Sequence, residues 1–389
     1  MPRPALRLFV ITILARTPFA AVGLLLIVRT KELTGSYAAS GLVAGAASVS
    51  VAVSSPWVGR LVDRRGQTAV LRTAVALCTA AIVAFALMPH GAPLGALVSL
   101  AALAGAATPP IGACMRTLYP MLLEGDAVHR AYAFESAALE LTYIAGPPMM
   151  LAIASVAGTA TALIVAATAF AAGTAIFSAT RESRAWQPSD PDAHAPRGAA
   201  LRSPGMQTIV IAIGLAGATF GAVEVAVAAA CQAAGAKGAT GVLLAVWGLG
   251  SMLGGFAAAR AGAPPDAARW LVLLLAALGL CDLALVPVSS PAGLAPILLV
   301  AGAAVAPLLG TAYGIVDRVA PRSGQTEAFA WLTTAIGIGL AGGSALAGAL
   351  VDAVGPGGGF ATAAAAGLLA CAITSARRAT VGTVPSVAQ

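Results

Sequence analysis

The sequence predicts an all-α integral membrane protein in which twelve transmembrane helices form two pseudo-symmetric halves of six. Three observations support this prediction: the apolar composition, the number of long apolar runs and an internal repeat. Of the 389 residues, 59% are apolar and 10% are charged, whereas about 25% of residues are charged in a typical soluble domain. The composition excludes a soluble enzyme, a secreted disulfide-stabilised domain and a single-span receptor with a large external domain.

Twelve apolar runs are long enough to cross a bilayer, which requires roughly 20 residues each. The first run follows a short basic segment, residues 1–7, and is too long to be the core of a signal peptide. We therefore interpret it as the first span. The twelve predicted spans cover residues 8–28, 38–61, 69–89, 94–119, 130–153, 158–180, 206–231, 239–261, 268–289, 293–317, 325–350 and 356–376.

Between the sixth and seventh spans lies a polar, proline-rich stretch with the composition of a linker, beginning RESRAWQPSDPDAHAPRG. It divides the chain into an N-terminal six-helix half (1–180), a cytoplasmic linker (181–205) and a C-terminal six-helix half (206–389). The sequence therefore predicts six spans, a charged connection and six further spans.

The distribution of basic residues predicts the orientation in the membrane. With the amino terminus in the cytoplasm, most of the 22 Lys and Arg residues fall in cytoplasmic segments, and only Arg29, Lys31 and Lys237 lie outside. This asymmetry follows the positive-inside rule and places both termini in the cytoplasm. A chain rich in Ala, Gly, Arg and Pro is typical of a GC-rich bacterial genome, so we expect a multi-pass protein of the bacterial inner membrane.

The net charge of +7 raises the alternative of a nucleic-acid partner. However, the basic residues form short clusters between apolar runs, not one basic surface, so we expect no nucleic-acid binding. The five cysteines lie in apolar stretches without CxxC or His-rich spacing, which predicts neither disulfides nor a metal site.

An internal repeat relates the two predicted halves. The segment AGAATPP at 104–110 aligns with AGAAVAP at 301–307, an offset of 197 residues, and the same offset places Gly146 against Gly343. Two six-helix halves in parallel repeat imply a substrate site between them near the middle of the membrane, reached alternately from each side.

The segment GRLVDRRG at 59–66 stands at the cytoplasmic end of the second span. It resembles the loop signature between spans two and three of the major facilitator superfamily, and departs from it at Gln67 and Thr68, where the family usually carries basic residues. The segment IAGPP at 144–148 resembles part of the Gly-Pro motif of the family's drug:proton antiporter branch, without its flanking glycines. The resemblance implies the twelve-helix major facilitator fold and transport by alternating access.

Two ionisable residues, Arg16 in span one and Glu140 in span five, lie at a similar depth, roughly 15 Å from the cytoplasmic end of each span. Spans one and five are neighbours in the fold that the resemblance implies, so we predict that the two residues pair. Two interpretations are open: a static ion pair that fixes helix packing, or a proton-coupling carboxylate whose charge Arg16 stabilises. Tyr143, one turn beyond Glu140, is a polar partner or a packing residue.

Glu224, in the outer half of span seven, is predicted either to face the substrate cavity and attract cationic substrates, or to reach water at the interface. Asp282 lies in span nine, which is peripheral in the family, and receives no transport role.

Near the cytoplasmic ends of the spans, we predict an ion-pair cluster that acts as a gate. Arg116 and Glu135 lie on the adjacent spans four and five, and Asp63 and Arg64 lie in the loop motif. Breaking such a cluster opens the inner side of a transporter.

These features favour a secondary active transporter that exports small amphipathic molecules by proton antiport, as a monomer in the lipid bilayer. We expect no cofactor other than the proton as coupling ion. The chain contains no Asn and few Gln, which favours a hydrophobic site over a sugar site. Two alternatives stay open: an uptake permease for a small organic anion, with Arg16 as the carboxylate anchor, and a transporter-like sensor that moves no substrate.

Overall fold

The computed structural model describes residues 2–187, 199–236 and 238–382. Three predictions fall partly outside these ranges. The middle of the predicted linker, 188–198, is not described. The same holds for Lys237, predicted to be external, and for residues 383–389, predicted to end the chain in the cytoplasm.

The twelve predicted spans are confirmed as twelve helical segments long and apolar enough to cross a membrane. Several extend a few residues beyond the apolar run that predicted them, because helical hydrogen bonding continues into the polar ends. The segments, numbered spans 1 to 12, are Arg3–Thr34, Tyr37–Arg65, Gln67–Ala86, Leu94–Leu122, Asp126–Ala157, Thr159–Ala179, Pro204–Ala233, Ala239–Ala261, Ala267–Leu285, Pro291–Val319, Gln325–Val354 and Pro356–Ala376.

Two spans are interrupted next to prolines. Span 1 consists of the helices Arg3–Phe19 and Val22–Thr34, and span 4 consists of Leu94–Ala106 and Ile111–Leu122. Proline lacks an N–H and its ring clashes with the carbonyl four residues earlier, so it interrupts a helix. Pro18 precedes the first break and Pro109-Pro110 occupy the second.

Short helices lie at the ends of spans 6, 7 and 12, and one turn of 3-10 helix precedes span 11. Their bounds are Arg181–Ala185, Ala199–Arg202, Arg378–Gly382 and Arg322–Gly324.

The chain forms two compact units. The first contains Met1–Leu123, Leu141–Ala195 and Arg322–Ala330. The second contains Glu124–Glu140, Pro196–Pro321 and Trp331–Gln389. The early part of span 5 therefore belongs to the second unit, and the beginning of span 11 belongs to the first.

The same pairs of spans pack together inside each unit. In the first unit, span 2 packs against span 4, spans 1 and 4 also contact each other, and span 6 packs against spans 1 and 3. In the second unit, span 8 packs against span 10, spans 7 and 10 contact each other, and span 12 packs against spans 7 and 9. This correspondence is what a parallel repeat of six spans requires.

Glycines at equivalent positions make equivalent close contacts in the two units. A Cβ atom added to Gly105 in span 4 would collide with the carbonyl oxygen of Ala47 in span 2, and one added to Gly302 in span 10 would collide with that of Trp247 in span 8. Gly105 and Gly302 are the aligned glycines of the AGAATPP and AGAAVAP segments. The repeat thus preserves the position where two helix backbones touch.

A second pair of aligned glycines also lies at close contacts between helix backbones. Gly146 in span 5 contacts the carbonyl oxygen of Thr17 in span 1, and Gly343 in span 11 contacts that of Ala218 in span 7. Because glycine carries no side chain, helices can approach closely at such positions, as small residues allow in membranes.

We expect the Gly343→Ala substitution to destabilise the protein by about 1–3 kcal/mol, the usual cost of overpacking. The added Cβ would lie 2.6 Å from the carbonyl carbon and from the Cα of Ala218, so spans 7 and 11 would have to separate. The thermal unfolding midpoint of the purified protein in detergent measures the effect.

Gly342→Ala is the matched control, because a Cβ at Gly342 has no neighbour within 4 Å. Alanine is also a better helix former than glycine, so this variant should unfold at the wild-type temperature or slightly above it. Equal unfolding midpoints for the two variants would contradict the close contact at Gly343.

Candidate functional site

The carboxylate of Glu140 lies in the second unit, half-buried where span 5 packs on span 8. Its Oε1 atom accepts a hydrogen bond of 2.8 Å from the hydroxyl of Ser251, a side chain that is 2% exposed. A Cβ atom at Gly255, one turn after Ser251, would lie 2.6 Å from the Cβ of Ala137. The missing side chain at Gly255 therefore lets span 5 approach span 8 closely enough for the hydrogen bond.

Aromatic side chains lie one helical turn from this hydrogen bond. Trp247 and Ser251 are four residues apart in span 8 and therefore share one face of the helix. The Trp247 ring meets the Phe220 ring of span 7 edge to face, with 5.7 Å between the ring centroids. Glu224 follows Phe220 by four residues and is exposed. We call Glu140, Ser251, Trp247, Phe220 and Glu224 the carboxylate–aromatic row.

Two indole N–H groups in the second unit are buried without an acceptor among the described residues. They belong to Trp247 and Trp331. Buried N–H groups in proteins nearly always find a hydrogen-bond partner. Both groups are therefore available to an acceptor atom that the described residues do not supply.

The carboxylate–aromatic row combines two chemical capacities. The carboxyl group of Glu140 can release and take up a proton while Ser251 holds it in place. The aromatic faces offer a flat apolar surface, and such faces also attract cations. The row is thus suited to an amphipathic ligand with a basic group.

Arg16 lies in the first unit beside span 4. A Cβ atom at Gly112 would lie 3.0 Å from its Nη1 atom and 3.8 Å from the Nη2 atom of Arg116. The absence of a side chain at Gly112 leaves room for both guanidinium groups, so two arginines approach the same glycine. Because Arg16 and Glu140 belong to different units, the ion pair between them stays a prediction.

Tyr143 follows Glu140 by three residues in span 5 and belongs to the first unit. Its side chain is 61% exposed. Its role beside Glu140 also stays a prediction.

Asp63, from the loop motif, caps the beginning of span 11 within the first unit. Its two carboxylate oxygens accept backbone N–H groups, Oδ1 from Thr326 at 3.0 Å and Oδ2 from Glu327 at 2.8 Å. The first N–H groups of a helix have no partner inside the helix, and the N-terminus carries partial positive charge. A buried carboxylate at this position therefore satisfies two donors and complements that charge.

Gly59, one turn before Asp63, allows span 2 to approach the beginning of span 11 closely. A Cβ atom there would lie 2.9 Å from the Thr326 carbonyl oxygen and 3.1 Å from the Cα of Glu327. We call Gly59, Asp63, Thr326 and Glu327 the span 11 cap. The sequence indicated Asp63 as a gate residue, but it did not reveal that the partners are backbone groups.

The other predicted gate residues are distributed between the units. Arg116 lies in the first unit, and Glu135 lies in the second; both side chains are buried. Arg64 is exposed at the end of span 2. The ion-pair cluster that joins these residues stays a prediction.

Gln67, where the loop motif departs from the family pattern, is buried and joins three elements of the first unit. Its Nε2 atom donates to the carbonyl of Cys114 and to the hydroxyl of Thr117, each at 3.1 Å. Its Oε1 atom accepts a hydrogen bond of 3.0 Å from Ser183. A buried amide can both donate and accept, so one side chain makes all three hydrogen bonds.

Asp282 in span 9 is fully buried, and neither carboxylate oxygen has a hydrogen-bond partner among the described residues. It is not part of the carboxylate–aromatic row. Within the same described ranges, no cluster of three His, Cys, Asp or Glu side chains could hold a metal ion.

The fold, the repeat and the loop motif can be compared with known proteins. A family model described as Major Facilitator Superfamily matches residues 8–323. The chain belongs to the major facilitator superfamily. As a member of this superfamily it is a membrane transporter and not an enzyme.

Solved structures share this major facilitator fold along nearly the whole chain. The human organic anion transporter MFSD10 (TETRAN) is 15% identical, with a TM-score of 0.75, and the match covers 96% of this chain and 100% of that one. A bacterial homologue of the iron transporter ferroportin, in an outward-facing state, is 12% identical with a TM-score of 0.78, covering 97% and 100%. Comparison with curated protein sequences gave no match.

Proposed function

We propose that this member of the superfamily exports small amphipathic molecules in exchange for protons. The observation that carries the proposal is the Glu140 carboxylate, held by Ser251 one turn from the Trp247–Phe220 pair. A proton on Glu140 and a basic group of the substrate would compete for the same carboxylate. Such competition couples the outward movement of substrate to the inward movement of protons.

The side chains of the carboxylate–aromatic row favour an apolar substrate with few hydrogen-bonding groups. The carboxylate–aromatic row presents two aromatic rings between its two carboxylates, and Glu224 at its exposed end would attract a cationic group. Specific recognition of sugars uses many hydrogen-bonding side chains, and the chain contains no Asn. The indole N–H groups of Trp247 and Trp331 supply two donors to a bound molecule.

The transport cycle that we propose is alternating access between two halves, 1–180 and 206–389, connected by the linker 181–205. Parallel six-helix repeats transport by movement of one half against the other around a central site. The span 11 cap joins the end of span 2 to the beginning of span 11. We infer that this cap holds the cytoplasmic side closed and breaks when that side opens.

The proposed setting is the bacterial inner membrane, with both termini in the cytoplasm. The protein would act as a monomer, with the proton as its coupling ion.

A second candidate function is the uptake of a small organic anion. The observation that favours it is the approach of Arg16 and Arg116 to Gly112 in the first unit. Two guanidinium groups beside one glycine form a place where a carboxylate could bind, since arginine binds carboxylates in a two-pronged geometry.

Proton movement in inverted membrane vesicles tests the proposal. Vesicles with an acidic interior receive amphipathic amines, neutral amphiphiles or organic anions one at a time, and a pH-sensitive dye reports the gradient. We expect amphipathic amines to dissipate the gradient faster in vesicles that contain the protein than in vesicles that lack it, where only passive entry of the neutral amine consumes protons. A response to anions alone favours the uptake permease, and no response to any compound contradicts both transport proposals.

A further inference from the structure

A groove on the outer surface of the first unit has the character of a lipid-binding site. It has a volume of about 340 Å³ and lies between spans 2, 3 and 4. Its walls are mostly aliphatic, including Val58, Leu61, Leu77 and Leu103. Leu77 and Leu103 are 49% and 46% exposed, so the groove opens on the surface that the surrounding bilayer covers.

One end of the groove carries a positive charge. Among the eleven described residues that line it, Arg65 is the charged one. Arg65 ends span 2 immediately before the turn at Gly66, which places its guanidinium at the boundary of the membrane. This side chain is exposed, and it makes no hydrogen bond or ion pair with any residue in the described ranges.

The length of the groove matches a lipid chain. Its lining along span 3 extends from Ala69 to Leu77, which corresponds to about 12 Å at 1.5 Å per residue. One leaflet contributes about half of the 30 Å hydrocarbon core. An acyl chain in the groove would therefore reach close to the middle of the bilayer while its headgroup stays beside Arg65.

We propose that this groove binds an anionic glycerophospholipid, with one acyl chain between spans 2, 3 and 4 and the phosphate on Arg65. Aliphatic walls that end at an exposed guanidinium complement such a molecule in both shape and charge. Basic sites between transmembrane helices on the cytoplasmic side favour anionic headgroups. The lipid would occupy the leaflet that we propose to be cytoplasmic.

Fluorescence quenching in nanodiscs tests the site. Trp57 is 60% exposed and adjoins Val58, so it reports on the groove. The full-length protein is placed in phosphatidylcholine nanodiscs with rising fractions of phosphatidylglycerol brominated on its acyl chains. Brominated phosphatidylcholine serves as the comparison lipid, and the Trp57→Phe variant identifies the Trp57 signal.

We expect phosphatidylglycerol to quench Trp57 at lower fractions than phosphatidylcholine does. Arg65→Gln should reduce this preference about fivefold, which corresponds to about 1 kcal/mol for one basic side chain near the surface. Arg64→Gln removes the same charge from the neighbouring exposed position, outside the groove lining, and should retain the preference. Ala106→Leu fills the groove and should weaken quenching by both lipids.

Two results would overturn the proposal. The first is equal quenching of the wild-type protein by both lipids. The second is an equal loss of preference in Arg64→Gln and Arg65→Gln, which would indicate diffuse attraction to a basic surface. Size-exclusion profiles of all variants show whether each is folded, so a misfolded variant is not counted as a loss of binding.

Discussion

The Glu140→Gln variant is expected to lose substrate-driven proton flux, down to the level of vesicles without the protein. Glutamine preserves the shape of the side chain and can still accept the hydrogen bond from Ser251. However, its amide cannot bind and release a proton during the transport cycle. The fold should therefore survive while coupling is lost. The measurement is the rate of gradient dissipation in inverted vesicles with the compound that gives the largest wild-type response.

Two further variants test whether the loss of proton flux is specific to the carboxylate of Glu140. Glu124→Gln makes the same chemical change at an exposed position before span 5 and should retain wild-type flux. Ser251→Ala removes one hydrogen bond to a charged group, worth about 1.5–3 kcal/mol, and should reduce flux without abolishing it. Wild-type flux in Glu140→Gln would exclude this carboxylate as the coupling group and would require another proton carrier.

The Asp63→Asn variant is expected to open the cytoplasmic side. The carboxylate accepts two backbone N–H groups, whereas an amide presents one oxygen and one NH₂ group, so one backbone donor would face another donor. Charge-assisted hydrogen bonds contribute about 1.5–3 kcal/mol each. A loss of this size shifts a two-state equilibrium by at least about tenfold.

Cysteine labelling measures the opening. Thr326 is fully buried in the wild-type protein, so a Thr326→Cys substitution in a background without the native cysteines reports on access to the span 11 cap. A membrane-impermeant maleimide should react with it about ten times faster when Asp63→Asn is also present. Asp352→Asn is the control, since it makes the same chemical change at an exposed position outside the cap. Equal labelling rates in all backgrounds would show that the cap does not close this side.

The spans were predictable because the length and polarity of an apolar run are local properties of a sequence. The aligned segments that contain Gly105 and Gly302 were visible in the sequence, but the close helix contacts at these glycines were not predicted. An alignment of the two repeated segments does not reveal which atoms the glycines contact. That depends on how each helix is rotated about its axis, which the packing of the whole unit determines.

The partners in the candidate site were less predictable for the same reason. Asp63 is linked to the backbone of residues more than 260 positions away, and every residue except proline has a backbone N–H, so nothing in the composition marks the partner. Ser251 lies in a glycine-rich stretch of span 8 and carries no pattern of its own. The sequence shows that Ser251 lies one turn after Trp247. This position indicates a role for Ser251 only once the structure shows that Glu140 faces it.

The backbone contacts at the aligned glycines also bear on how the transporter can deform. Spans 2 and 4, and likewise spans 8 and 10, touch through main-chain atoms with no side chain between them. At these glycine positions no side-chain rotamer can rearrange to absorb a sliding movement. Each pair of spans should therefore move as one rigid body during the transport cycle. Elastic deformation would concentrate at interfaces built from side chains and at the breaks in spans 1 and 4.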